Sequence, residues 1–234
     1  MGKDVIIALD FDSKDKTLAF LDRFTEEKPF VKIGMELFYA EGPAVVREIR
    51  ARGHRIFLDL KLHDIPNTVK KAMAALSALD VDMINLHAAG TKAMMTAALE
   101  GLTRPDGTRP LLIAVTQLTS TDQSRMEEEL LIREPLDQVV LHYAANAAEA
   151  GLDGVVCSPL EADIVHRRCG AGFLTVTPGV RFAGGLPLTP AELVNELPGG
   201  DRAFFRVVLA GPLTARLYRL FAYRTAREEA APCA

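Results

Sequence analysis

Short runs of continuous apolar, β-rich sequence alternate along this chain with longer stretches whose apolar residues recur every three or four positions. Continuous apolar runs mark parallel strands covered on both faces, because a sheet with one wet face alternates apolar with polar residues. Eight runs are predicted as strands: Val5–Asp10, Phe30–Met35, Arg55–Leu62, Met83–Ala88, Leu111–Thr119, Gly154–Pro159, Phe173–Val180 and Val207–Ala210. The stretches between them read as helices. Leu18, Leu21 and Phe24 share a face, as do Val46 and Ile49 behind Pro43. Val69, Met73 and Leu76 follow Pro66; Met94, Ala98 and Leu102 follow Thr91, a candidate cap; Leu136, Val139, Val140, Tyr143 and Ala147 run up to Gly151. Ser158 to Glu161 and Thr189 to Glu192 match the capping-box pattern. The polar, acidic stretch from Ser120 to Pro135 predicts a surface loop with a short helix.

Eight β-then-α units in 234 residues predict an α/β fold, a (β/α)8 TIM barrel forming a single domain over residues 1–234. A doubly wound open sheet satisfies the same periodicity, since periodicity does not report closure. With 49% hydrophobic and 25% charged residues, the chain can bury a sizeable core. No apolar run approaches the roughly 18 residues of a membrane span. The first run, Val5 to Leu9, is too short for a signal peptide, so no membrane association and a cytoplasmic location are expected. A net charge of −4 provides no basic footprint for nucleic acid. Cys157, Cys169 and Cys233 are scattered and read as free thiols.

In a barrel of this kind the chemistry sits at the C-terminal ends of the strands. Charged residues there are costly to bury unless paired, which makes them informative. The first strand ends in Asp10, the second carries Lys32, and the third reads Ile56-Phe57-Leu58-Asp59-Leu60-Lys61-Leu62-His63-Asp64. In a regular strand Asp59, Lys61 and His63 share one face, and Asp64 follows in the loop. Two lysines and two aspartates can satisfy one another as an alternating array that holds a lysine as a positioned proton donor beside a carboxylate. A salt-bridge network with no chemistry satisfies the same spacing. Thr119 and Ser120, in Thr116-Gln117-Leu118-Thr119-Ser120, suit the polar edge of a planar ligand or simply a turn. Arg181, in Thr177-Pro178-Gly179-Val180-Arg181, suits a phosphate or an exposed corner. Of the five histidines, His87 ends the fourth strand and reads as a buried core residue; His54, His142 and His166 read as exposed. No glycine-rich nucleotide loop and no nucleophile triad are evident.

Taken together, Asp10, Val31-Lys32-Ile33-Gly34, Asp59-Leu60-Lys61-Leu62-His63-Asp64-Ile65-Pro66-Asn67-Thr68, Val115 to Ser120 and Thr177 to Arg181 resemble the orotidine 5′-phosphate decarboxylase family, from about Val5 to Gly185. The resemblance implies a (β/α)8 homodimer that converts orotidine monophosphate to uridine monophosphate in pyrimidine synthesis, with no metal and no organic cofactor. It implies that Lys32, Asp59, Lys61 and Asp64 form the catalytic array, with Lys61 protonating C6 and Asp59 near the departing carboxylate. Asp10, Lys32 and Asp59 are implied as substrate contacts, the first two at the ribose. Ile65 and Thr68 are implied substrate-binding residues, and Asp64 and Thr68 are implied to reach into the partner's site. Thr119 and Ser120 are implied at the pyrimidine edge, and Pro178 and Arg181 in the substrate site, Arg181 on phosphate.

Residues 182–234 depart from the family pattern. The Gln-bearing loop that usually follows the seventh strand is missing, and Ala210-Gly211-Pro212-Leu213-Thr214 lacks the arginine that usually closes the eighth. Two further readings keep the array: a non-catalytic pyrimidine-nucleotide-binding protein, and a metal-dependent sugar-phosphate decarboxylase or aldolase of the same superfamily. The latter usually places an acidic metal-site residue where Lys32 stands.

Overall fold

The computed structural model describes residues 5–25, 28–178 and 207–210. Seven strands lie parallel and in chain order: β1 (Val5–Ala8), β2 (Phe30–Gly34), β3 (Ile56–Leu62), β4 (Met83–His87), β5 (Leu111–Val115), β6 (Gly154–Val156) and β7 (Leu174–Pro178). Helices alternate with them: α1 (Lys14–Leu21), α2 (Met35–Glu41), α3 (Pro43–Ala51), α4 (Pro66–Ser77), α5 (Thr91–Leu102), α6 (Gln123–Glu128), α7 (Leu136–Glu149) and α8 (Ala162–Cys169). The result is an α/β fold built on a curled, seven-stranded parallel sheet. The eighth predicted strand is present as β8 (Val207–Ala210), between β7 and β1, and it pairs antiparallel with both. An all-parallel barrel requires the opposite direction; the antiparallel strand still supplies ladder partners to both edges. Among the described residues no helix is long and apolar enough to cross a membrane.

Two apolar layers explain the continuous strand runs. Val31, Ile33, Ile56, Leu58, Ile84, Leu86, Leu112, Ala114 and Val155 pack outward against Val46, Ile49, Val69, Met73, Met94, Ala98, Val140 and Ala144 of the helices. Ile6, Phe30, Phe57, Met83, Ile113 and Val176 point the other way and form a separate interior cluster. Strand side chains repeat every second residue. The position two residues beyond Phe30, Phe57 and Met83 is therefore the same interior face, one step nearer the C-terminal ends. It holds Lys32, Asp59 and Asn85, all buried. The apolar cluster is the floor and this polar layer lies above it. Helices α4 and α5 cover β3 and β4 and approach closely at Gly101, where an added Cβ would lie 2.1 Å from the Lys70 carbonyl oxygen.

Three local expectations change. The capping-box carboxylate of Glu161 accepts the Ser158 N–H at 2.7 Å, but α8 starts only at Ala162, so the box closes a turn ahead of the helix. Its counterpart from Thr189 to Glu192 lies outside the described residues. His54 is fully buried, not exposed. The turn at Gly53, with φ +87°, folds it under the sheet, where Nδ1 donates to the Pro29 carbonyl at 3.0 Å and Nε2 has no partner among the described residues. His142 is exposed as expected; His166 is half-buried, with Nε2 3.2 Å from the Thr175 hydroxyl.

Burial, opposed by the Pro29 hydrogen bond, holds the His54 pKa below the usual histidine value. The unfolded chain therefore takes up this proton first, at about pH 6.5. Stability from a neutral His54 is fully present above that pH and falls as the pH drops toward the folded value. Urea unfolding between pH 7.5 and 5.5 should show this loss, and His54→Phe should flatten it.

Candidate active site

The C-terminal ends of β1, β2, β3 and β4 bring five polar side chains together: Asp10, Lys32, Asp59, Lys61 and Asn85. Lys32 of β2 sets its Nζ 3.3 Å from Oδ2 of Asp59 and 3.5 Å from Oδ1 of Asp10. Lys61 of β3 sets its Nζ 2.6 Å from Oδ1 of Asp59. Asp59 is thus a carboxylate shared between two ammonium groups. Gly34 keeps the space open: a Cβ there would lie 3.4 Å from Lys32 Nζ and 3.8 Å from Asp10 Oδ1.

Regular strand geometry does not produce this arrangement. Between Leu58 and Leu62 the β3–β4 register slips, four residues of β3 passing two of β4. At the slip Lys61 adopts φ +51°, a left-handed backbone uncommon outside glycine. Its N–H leaves the ladder and donates to Oδ1 of Asn85 at 2.8 Å. The Asn85 amide donates in turn from Nδ2 to Oδ1 of Asp59 at 2.6 Å. The predicted alternation of Asp59, Lys61 and His63 on one face is accordingly replaced by a bulge. Asp59 and Lys61 still meet, while His63 lies beyond the strand end, exposed, with its ring 5.7 Å from that of His87. Asn85 was not singled out from the sequence, although a polar residue in the middle of the apolar run Met83–His87 is the same signal that marked Asp59.

The charges follow from this packing. Burial pushes the Asp59 carboxyl up, but Lys32, then Lys61, with hydrogen bonds from Lys61 and Asn85, hold it below the usual carboxylate value. His87 is half-buried, not fully buried as expected; burial first, then His63 and Lys61, keeps its pKa below the usual value. Cys157 is buried, which drives its thiol up to about 12, and Cys169 is raised for the same reason, so neither is an activated nucleophile.

The other predicted site residues are not drawn into the array within this chain. Asp64 is exposed and its Oδ1 accepts the Ile65 N–H at 2.6 Å. Ile65 and Thr68 are exposed beside it, Ile65 at 66%. Thr119 and Ser120 are exposed in the turn after β5, where the Ser120 carbonyl accepts from Arg125 at 3.0 Å. Ser120, Thr121, Arg125, Glu129 and Leu130 line a hollow of about 350 Å³ there. Pro178 ends β7, half-buried; Arg181 lies outside the described residues. Among the described residues, no group of three or more His, Cys, Asp or Glu side chains is arranged to hold a metal ion.

Removing one partner of a buried ion cluster leaves uncompensated charge and costs about 3–5 kcal/mol. Asp59→Ala leaves Lys32 and Lys61 facing each other and should lower the unfolding free energy by about that amount in a denaturant titration.

Residues 3–190 match the model of the orotidine 5′-phosphate decarboxylase / HUMPS family. The orotidine 5′-phosphate decarboxylase of Bacillus cereus (strain Q1) is 47% identical over 232 residues, 98% of each chain. That of Geobacillus sp. (strain WCH70) is 55% identical over 186 residues, 78% of each chain. The crystal structure of orotidine 5′-phosphate decarboxylase from Lactobacillus acidophilus superposes with a TM-score of 0.73 at 41% identity, covering 77% of this chain and 82% of that one. A conserved protein from Geobacillus kaustophilus, solved without an assigned function, superposes with a TM-score of 0.72 at 53% identity, covering 80% and 84%. This similarity leads to one conclusion: the chain belongs to the orotidine 5′-phosphate decarboxylase / HUMPS family.

Proposed function

We propose that this chain decarboxylates orotidine 5′-phosphate to uridine 5′-phosphate, the step of pyrimidine synthesis for which its curated relatives are named, and that the array at the ends of β2 and β3 performs it. The observation that carries the assignment is Asp59 held as a buried carboxylate between the Lys32 and Lys61 ammonium groups. In the proposed reaction the bond from C6 to the carboxylate breaks, carbon dioxide leaves, and the electron pair stays on C6. An N–H of the Lys61 ammonium delivers the proton to that carbon, and the lysine is reprotonated from solvent. Asp59 lies against the departing carboxylate, so like-charge repulsion in the bound substrate is relieved as the negative charge moves onto the ring. Lys61 faces that developing charge from a fixed position, which is worth most in a site shielded from water.

The remaining roles follow the same reading. Asp10 and Lys32 hold the ribose hydroxyls, Thr119 and Ser120 read the pyrimidine edge, and Pro178 and Arg181 close the phosphate end. Asp64, Ile65 and Thr68 serve the site of a second copy. Their exposure supports this: the apolar Ile65 side chain stands in solvent next to a carboxylate that its own array does not use. The active form is then a homodimer with two shared sites, on a (β/α)8 barrel that residues 1–234 complete as one domain, in the cytoplasm. Lys32 also disfavours the metal-dependent reading, since its ammonium occupies the space between the two carboxylates that a cation would need.

Turnover of orotidine monophosphate tests the assignment; binding of uridine monophosphate without turnover would overturn it in favour of a non-catalytic binder, and EDTA sensitivity in favour of a metal enzyme. Lys61→Ala should lower kcat by at least about 10²–10⁴-fold, the usual cost of a positioned general acid, while leaving a folded dimer. Near-normal kcat in that variant would remove Lys61 as the donor. Lys61→Ala and Asp64→Ala subunits, each inactive, should regain activity when mixed and exchanged, because one site of each heterodimer has both residues intact. No recovery despite demonstrated exchange would place Asp64 outside the partner's site.

A further inference from the structure

We propose that Asn85 is a positioning residue for the decarboxylation, setting where the Lys61 ammonium stands relative to Asp59. The inference rests on the reading of Lys61 as the proton donor. Asn85 is fully buried in the middle of β4, and its side chain binds the neighbouring strand twice. Its Oδ1 accepts the Lys61 backbone N–H at 2.8 Å, and its Nδ2 donates to Asp59 Oδ1 at 2.6 Å. The amide orientation is dictated by its partners: a backbone N–H can only donate and a carboxylate can only accept. The same Asp59 oxygen receives the Lys61 Nζ at 2.6 Å. One rigid amide therefore ties the backbone of the donor residue to the carboxylate that its side chain contacts.

The bulge makes this tie necessary. Lys61 sits at φ +51° where the β3–β4 ladder slips, so its N–H lacks a strand partner. A residue held in such a conformation persists when its surroundings over-determine it, and Asn85 is the group that captures it here. Asn85 also spends its second hydrogen bond on the ionised form of Asp59. The charged and titratable groups facing this cluster are Lys32, Lys61 and Asp59 themselves, with Asp10 on Lys32 and the His63–His87 pair beside Lys61.

Full-length Asn85→Ala should lose kcat by about 10²-fold, the scale of a roughly 1 Å misplacement, with KM for orotidine monophosphate little changed. Asn85→Asp keeps the acceptor for the Lys61 N–H but sets a second carboxylate against Asp59. Its kcat should therefore recover toward acid pH, where one shared proton restores the donor, and fall away at neutral pH, unlike wild type. Should the alanine variant fail to fold, the pH profile of the isosteric Asn85→Asp decides alone. Wild-type kcat per folded site in Asn85→Ala, or a wild-type pH profile in Asn85→Asp, would overturn the inference while Lys61→Ala remains inactive. An active Lys61→Ala would instead remove the donor assignment on which it stands.

Discussion

A carboxylate buried to 7% exposure ordinarily takes up a proton, because a bare charge cannot be moved out of water cheaply. Asp59 stays ionised because two lysines and one amide converge on it. The rest of the site is arranged around that requirement. Lys32 comes from β2, Lys61 from the same strand, and Asn85 from β4, so three adjacent strands must be in register before the charge is tolerable. Desolvating such a cluster contributes little net stability. In the proposed reaction its value is that the ammonium of Lys61 is held at a fixed point.

The apolar floor makes that aim possible. Ile6, Phe30, Phe57, Met83, Ile113 and Val176 fill the interior beneath the polar layer, and the strand repeat of two carries the same face upward to Lys32, Asp59 and Asn85. The helices pack on the opposite faces of the same strands. Each strand is thus clamped from both sides at its centre, while its C-terminal end is free to carry polar groups. The departure from regularity falls where the proposed chemistry sits: the slip at Lys61 is at the end of β3, past the clamped residues.

The exposed surface next to this layer has a different character. Asp64 to Thr68 follow β3 directly, and all are exposed. An exposed isoleucine at the first turn of a helix, flanked by a carboxylate turned onto its own backbone, contributes nothing to this chain's core. In the proposed dimer the same segment closes a second active site, so burial and function would be completed by one association.

Seven parallel strands, the helices between them and the positions of Lys32, Asp59 and Lys61 were legible in the sequence, because burial imposes periodicity and because charge inside an apolar run is rare enough to notice. Asn85 obeys the same rule less visibly: an uncharged amide in an apolar run stands out less than a carboxylate does. The burial of His54 is not legible in the sequence, because burial at a turn leaves no periodic trace. Direction and register were decided only in three dimensions. The antiparallel course of β8 and the two-residue slip between β3 and β4 depend on which neighbouring strand offers its backbone groups, and that pairing is non-local. The sequence by itself determined which residues carry charge and which faces are apolar; the tertiary structure decided that Asn85 holds Lys61 by its backbone, because only a bulge frees that N–H and only the adjacent strand can receive it.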